Sequence, residues 1–236
     1  MATPIRLDKM IAHSCNIPRS QVKQLLYSGR IQVNGKTEKQ GKVHIFEEDV
    51  VQLDQQTLAR AQAVYLMLNK PVGYVCTHDE HTHPSVFSLL KDPSMPPLHV
   101  AGRLDADTTG LLLVTDDGQW SHQITSPNQH KWKTYRVTLA EPITPSSIEE
   151  LKQGIFLNGE EKATRPAQVT VLAPQLIDLS IQEGRYHQVK RMLAAVGNHV
   201  SQLHRWQIGP LTLDETLKPG QYRQLTADEM LAIRNA

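Results

Sequence analysis

Cysteine is nearly absent from the 236 residues, the net charge is only +1 with histidine neutral, and the sequence contains no internal repeat or low-complexity stretch. The two cysteines, Cys15 and Cys76, stand far apart and form no Cys-x-x-Cys pattern, which speaks against a disulfide scaffold and fits a reducing compartment. No apolar run approaches the roughly 18 residues that a membrane span requires. The N-terminus, "MATPIRLDKMIAHSC", lacks the apolar core and small-residue cleavage site of an export signal. These absences predict a soluble, cytoplasmic protein with no membrane partner. So small a net charge also speaks against a protein that coats nucleic acid by bulk attraction.

The charge that is present is unevenly placed. Residues 1–42 hold eight basic side chains against two acidic ones, an excess of six positive charges. Such a run is either a solvated face or a handle for a phosphate backbone. Its apolar pattern predicts a small helix-helix-hairpin domain over residues 1–58. "RLDKMIAHSC" reads as a first helix. In the second, Val22, Leu25 and Leu26 share one face, Ser20 stands where an N-cap is needed and Gly29 where a helix stops. Ile31 and Val33 alternate with polar residues, Asn34-Gly35 signals a hairpin turn, and Val50, Val51 and Leu53 predict another short strand. The polar stretch 55–63 reads as a linker.

A larger domain is expected over residues 59–236. "YLMLNKP", "LLLVT", "KTYRVTLA", "AQVTVLA" and "LIDLSI" read as strands. "SSIEELKQG" and "LTADEMLAIRN" read as helices with capping boxes, Ser146 to Glu149 and Thr226 to Glu229, and "YHQVKRMLAAVG" as a helix with Val189, Met192, Leu193 and Val196 on one face. Strands outnumber helices and rarely alternate with them, which predicts an α+β fold whose mixed, mainly antiparallel sheet is flanked by helices.

Two chemical signals compete with blander readings. His78, Asp79, Glu80, His81 and His83 are of metal-binding types, but the loop around them offers no partners to fix ligands, so a solvated loop is expected. "AGRLDADTTGLLLVTDDG", residues 101–118, carries Asp105, Asp107, Asp116 and Asp117. Asp105-Ala-Asp107-Thr-Thr matches the D-x-D-x-T string of Mg²⁺-dependent phosphotransferases, in which the first Asp attacks phosphorus. That chemistry needs an unbroken apolar strand directly before the first Asp, and here Gly102 and Arg103 occupy its place.

The same stretch resembles the G-R-L-D motif of pseudouridine synthases, which convert uridine in RNA to its C-glycoside isomer. "LNKPVGYVCT" upstream and "KWKTYRVTL" and "QEGRYHQVKRMLAAVGNHV" downstream resemble further segments of that family in its order, over residues 64–206. Residues 5–54, through Arg6-Leu-Asp-Lys9, Arg19-Ser20 and "SGRIQVNGK", resemble the RNA-binding domain first described in ribosomal protein S4. That likeness implies phosphate contacts from Arg6, Lys9, Arg19, Lys23, Arg30 and Lys36. The synthase likeness implies Asp105 as the catalytic carboxylate, either a nucleophile toward sugar or ring or a base at the sugar C2′. It implies Lys190 as the cation paired with Asp105, Tyr135 as the ring against the uracil, its hydroxyl a candidate to help remove the C5 proton, and Arg103 as the side chain that replaces a flipped-out base. Arg185 is expected to contact substrate, Arg191, His204 and Arg205 either the RNA backbone or only solvent, and Asp107, Asp116 and Asp117 to shape turns.

No cofactor and no metal is implied. "DADTTGLLLVTDDGQWSHQITSP" resembles the small-subunit branch, so the expected partner is 16S rRNA or a small-subunit assembly particle, the expected activity is of the pseudouridine-516 type, and the expected state is a monomer. The alternatives are a synthase acting on 23S rRNA and a non-catalytic RNA-binding assembly protein.

Overall fold

A computed structural model describes residues 4–59, 63–79 and 82–235. The chain divides into two compact units, Met1–Val64 with Asp92–Leu98, and Tyr65–Lys91 with His99–Ala236.

In the first unit β1 (Ile5–Arg6) leads into α1 (Leu7–Ser14) and α2 (Arg19–Tyr27). The short strands β2 (Ile31–Val33), β3 (Lys36–Thr37), β4 (His44–Ile45), β5 (Val51–Leu53) and β6 (Gln56–Thr57) follow. β3, β2, β5 and β6 form an antiparallel sheet, and β1 pairs with β4. Asn34 and Gly35 turn β2 into β3 with φ of 50° and 76°, the left-handed pair that a two-residue hairpin needs and that this dipeptide supplies at low cost. Leu7, Met10 and Ile11 of α1 and Val22 and Leu26 of α2 bury together with Ile31, Ile45 and Val51. Two expectations shift. α2 begins at Arg19, so Ser20 lies inside its first turn and Pro18 precedes it without a side-chain cap. Gln56–Thr57, expected in the linker, is a strand on β5, because Asp54 and Gln55 both take positive φ and turn the chain back. Residues 60–62 of that linker lie outside the described residues.

The second unit carries β7 (Tyr65–Lys70), β8 (His99–Val100), β9 (Thr109–Thr115), β10 (Lys133–Leu139), β11 (Gln168–Ala173) and β12 (Leu176–Ile181). β13 (Val200–Ile208), β14 (Leu211–Thr212) and β15 (Tyr222–Gln224) complete the strands. Its helices are α3 (Gly118–Thr125), α4 (Pro145–Gln153), α5 (Gln188–Ala195) and α6 (Ala227–Asn235). Among the described residues the strands form one sheet in the order β11-β12-β10-β13-β9-β7-β15, with β14 added to β13 and β8 to β9. Every pairing is antiparallel except that of β13 with β9. The mixed, mainly antiparallel α+β sheet is as the sequence predicts. Met67, Leu111 and Leu113 bury against Trp120 and Ile124 of α3 and Ile233 of α6.

Helix starts depart from the sequence reading where a better cap lies nearby. Thr144, not Ser146, accepts the Ser147 N–H, with Pro145 in the first turn of α4. α5 starts at Gln188 rather than Tyr186, because His187 takes a left-handed φ of 47°. α6 keeps its box: the Thr226 N–H donates to Glu229 Oε2 at 2.8 Å and the Glu229 N–H to Thr226 Oγ1 at 3.2 Å. At the parallel junction Arg205 faces Gly110 so closely that a Cβ on Gly110 would lie 2.2 Å from the Arg205 carbonyl oxygen. Only glycine fits there.

Candidate active site

Residues 101–108 connect β8 to β9, and two buried cations tie this loop to the sheet. Arg205 of β13, 1% exposed, donates Nε to the Leu111 carbonyl and Nη2 to the Gly102 carbonyl, both at 2.9 Å. Lys70, at the end of β7 and fully buried, donates Nζ to the carbonyls of Pro71 at 3.1 Å, Ala106 at 3.2 Å and Thr108 at 2.8 Å. Burial pushes the Lys70 ammonium down to about 8. The backbone on both sides of Asp105 is thus held by hydrogen bonds to charged groups, the stronger class of such bonds.

Asp105 meets a different side chain through each oxygen. Lys190 of α5 donates to Oδ2 at 3.0 Å, and Nε2 of His187 lies 3.5 Å from Oδ1. Lys190 also donates to Asp107 Oδ1 at 2.6 Å. Burial works against the Lys190 charge, but its hydrogen bonds to Asp107 and Asp105 outweigh it and raise the ammonium above its ordinary value. Asp107 is lowered in turn, the Lys190 hydrogen bond overcoming its own desolvation. Asp107 therefore shares the Lys190 cation rather than serving the turn backbone alone.

Asp105 opens on a cleft of about 700 Å³ lined by Arg103, Lys133, Tyr135 and His187. Tyr135, on β10 between β12 and β13, is 8% exposed and forms part of the cleft wall. Lys133 lies two residues earlier, on the same face of the strand. Its ammonium donates to the Lys131 carbonyl at 3.2 Å, and burial followed by the nearby Arg205 charge pushes it down to about 8. Arg103 is exposed and lines the cleft. A carboxylate paired with a lysine, a flat ring and a long arginine in one half-open cleft suit a planar base detached from a sugar.

The RNA pseudouridylate synthase family matches residues 64–195 of this chain. The chain belongs to that family. It is an RNA pseudouridine synthase, an isomerase. A ribosomal small subunit pseudouridine synthase A from Haemophilus influenzae is 47% identical over 227 residues, covering 96% of this chain and 98% of that protein. The protein of the same name from Escherichia coli K12 is 47% identical over 230 residues, covering 97% and 100%. A crystal structure of a pseudouridylate synthase, 46% identical, superposes with a TM-score of 0.71 over 97% of this chain and 99% of its own.

Of the five side chains that the sequence singles out in the synthase domain, Arg103, Asp105, Tyr135 and Arg185 line this cleft, and Lys190 joins them around a smaller pocket beside it. Arg185, however, is already committed. Its guanidinium binds Glu160 at 2.5 Å and Glu183 at 3.2 Å and donates to the carbonyls of Lys162 at 2.8 Å and Ala163 at 2.7 Å. Arg191 is bound likewise to Glu160 at 2.6 Å and to the carbonyls of Tyr186 and Asn158. Both arginines fasten the 158–163 loop to the start of α5. Arg205 is not surface but core, and His204 points to the opposite face of β13, where Nδ1 lies 2.9 Å from Thr109 Oγ1. Asp117 caps α3 by accepting the Gln119 N–H at 3.1 Å and also accepts the Tyr65 hydroxyl at 2.9 Å.

In the first unit three of the expected phosphate contacts already face carboxylates. Arg6 and Arg19 both bind Asp8, at 2.6 and 2.5 Å, and Arg30 binds Asp54. Lys23 and Lys36 are exposed, and Lys9 is partly buried on α1. Of the His/Asp/Glu loop, Glu80 and His81 lie outside the described residues, and His78 stacks on Phe87 with centroids 3.9 Å apart. Among the described residues no three His, Cys, Asp or Glu side chains converge as metal ligands, and no helix is long and apolar enough to cross a membrane.

Sequence reasoning missed His187, Lys70 and Lys133 as parts of this site. For Lys133 a signal existed: two residues from Tyr135 on a strand means the same face. Lys70 sat in an apolar run, where a lone lysine needs a buried partner.

Proposed function

We propose that this synthase isomerises one uridine of 16S rRNA, an activity of the pseudouridine-516 type, with Asp105 as its catalytic carboxylate. The observation that carries the reading is the Asp105–Lys190 pair at 3.0 Å on a cleft walled by Tyr135. The names of relatives 47% identical over nearly the whole chain support the small-subunit substrate.

The chemistry follows from the groups present. A stacked uridine must leave the helix before C1′ is reachable, and Arg103, exposed beside the cleft, fills the space it vacates. Tyr135 holds the freed uracil by its face while the ring turns. Lys190 supplies the counter-charge that a carboxylate needs in a water-poor site. Substrate and product are isomers, so the reaction as proposed requires no oxidant, no metal and no cofactor. Residues 1–58 act as an S4-like RNA-binding domain, with Arg6, Lys9, Arg19, Lys23, Arg30 and Lys36 on phosphates, ahead of a catalytic domain at 59–236, in a monomer. For Arg185 we assign support of the α5 start, with substrate contact only through groups it already holds.

Asp105→Asn tests the assignment. Pseudouridine formation in a 16S transcript or a small-subunit particle is expected to fall by at least about 10³-fold with the RNA still bound. Wild-type rates in that variant overturn the role of Asp105, and modification of a 23S transcript alone overturns the substrate.

A further inference from the structure

One aromatic side chain of the cleft has no part in the chemistry above. Tyr186 stands immediately before His187, lines the same cleft as Arg103 and Asp105, and is 76% exposed. A single exposed ring on a protein surface is ordinary. This one differs in how firmly it is held. The Tyr186 carbonyl accepts Arg191 Nη1 at 3.2 Å, and Arg191 is itself anchored on Glu160 and on the Asn158 carbonyl. Before it in the chain, the Arg185 N–H donates to Gln188 Oε1 at 2.9 Å and the Arg185 carbonyl accepts the Gln188 N–H at 3.2 Å. The Arg185 guanidinium meanwhile grips Glu160, Glu183 and the carbonyls of Lys162 and Ala163. The turn that presents the ring is fastened on both sides before any ligand arrives.

The ring is also part of a stack already made. His187 lies against it, with centroids 3.8 Å apart and planes 19° from parallel, and His187 Nε2 lies 3.5 Å from Asp105 Oδ1. Imidazole covers one face of the phenol ring, and the high exposure of the side chain leaves the other face to solvent. A column of three groups, Asp105, His187 and Tyr186, therefore runs from the carboxylate outward and ends on an open aromatic face.

We propose that this outer face of Tyr186 is the stacking platform for the base of a nucleotide directly flanking the target uridine, holding the RNA strand at the edge of the cleft. Extruding the uridine breaks its stacking on both neighbours. A flanking nucleotide is tied to the uridine by one phosphodiester, so once the uridine is in the cleft its neighbour lies at the edge, where Tyr186 stands. Every base has a π-face, so a bare ring accepts one with no polar group left unpaired, and such stacks contribute measurably to single-strand binding. Because the ring is fixed beforehand, the cost of ordering falls on the RNA alone.

The platform rests on Asp105 being the catalytic carboxylate of this cleft, as proposed above, and the test separates the two. Tyr186→Phe keeps the ring, Tyr186→Leu keeps apolar bulk without a ring, and Tyr186→Ala keeps neither; so exposed a position tolerates all three. Binding and single-turnover pseudouridine formation are measured on 16S RNA, free or in a small-subunit particle. The RNA is either intact or carries an abasic nucleotide directly 5′ or directly 3′ of the modified uridine. On intact RNA the half-saturating concentration is expected to rise about 10-fold in Tyr186→Ala and Tyr186→Leu and to stay within about twofold in Tyr186→Phe, with the saturated rate little changed in all three. On one of the two abasic RNAs the wild type is expected to lose affinity by a similar factor, and Tyr186→Ala to add no more than about twofold to that loss. Wild-type affinity in Tyr186→Leu, a loss confined to the saturated rate, or a full 10-fold effect of Tyr186→Ala on both abasic RNAs overturns the platform. Full activity in Asp105→Asn removes the reading of the cleft instead, whereas the comparison of Tyr186 variants, made on binding, decides the platform by itself.

Discussion

Lys190 stands between Asp105 and Asp107, and its compact charge can serve both at once. An arginine fork would favour bidentate pairing with one carboxylate, so Lys190 suits a site in which two oxygens from different residues converge on one donor. Buried Lys133 has the opposite situation: it faces a backbone carbonyl, and its charged form is opposed by burial and by Arg205. Its folded value of about 8 lies below the ordinary 10.5, so the charged side chain costs stability below pH 8. Between pH 8 and 10.5 the folded protein has released a proton that the unfolded chain still holds, and stability from this group rises with pH. Lys133→Met is therefore expected to be more stable than wild type at pH 7, and that advantage is expected to shrink by roughly 3 kcal/mol by pH 10.5, measured by urea unfolding at both pH values. Asp105, Lys190, Tyr135 and Arg103 were legible because each sits in a contiguous run of recognisable spacing. Lys70, Lys133 and Arg205 were not, since a charged letter in sequence reads as solvated until the fold shows carbonyls converging on it.

At the scale of elements, strands with apolar alternation were legible and those without it were not. β13 reads "VSQLHRWQI", in which polar side chains interrupt both faces, yet it lies at the centre of the sheet because Arg205 satisfies its own charge on the carbonyls of Leu111 in β9 and Gly102 in the loop. α3 was hidden behind a stretch, "TDDG", that reads as a turn; the same Asp117 that looked like a turn residue is the cap that starts the helix. That cap also receives the Tyr65 hydroxyl, whose proton is held more tightly because of burial and the adjacent Asp117 charge. Asp117→Ala removes both hydrogen bonds, with an expected loss of about 2 kcal/mol, whereas Asp117→Asn retains a capping oxygen and is expected to cost less than about 1 kcal/mol. Chemical denaturation of the two variants side by side checks the difference. Activity in Asp117→Asn should stay near wild type, because neither bond reaches the cleft.

At the scale of the whole molecule the basic excess of the N-terminal unit is smaller in effect than in count. Arg6, Arg19 and Arg30 each face a carboxylate, while Lys23, Lys36, Lys39 and Lys42 are exposed. Deleting residues 1–58 is expected to weaken rRNA binding and to flatten the plot of log affinity against log salt by about 3 to 4, the contribution of the four exposed lysines, because Arg6, Arg19 and Arg30 reach phosphates with their charge already balanced by Asp8 and Asp54. Binding titrations across a salt series measure this directly, and an unchanged slope removes the phosphate-handle role of that unit.

The parallel junction of β9 with β13 has a consequence for how the enzyme is made. Arg205 reaches the Leu111 carbonyl across 94 positions of chain, and Lys190 reaches Asp105 across 85. Contacts so distant in sequence close late, after the local hairpins and helices have formed. A nascent chain that has emerged only as far as α4 carries Asp105, Arg103 and Tyr135 but neither Lys190 nor His187 to face them. Asp105 therefore gains its partners only once α5 has been made, and on the function proposed above modification of RNA awaits that point of synthesis.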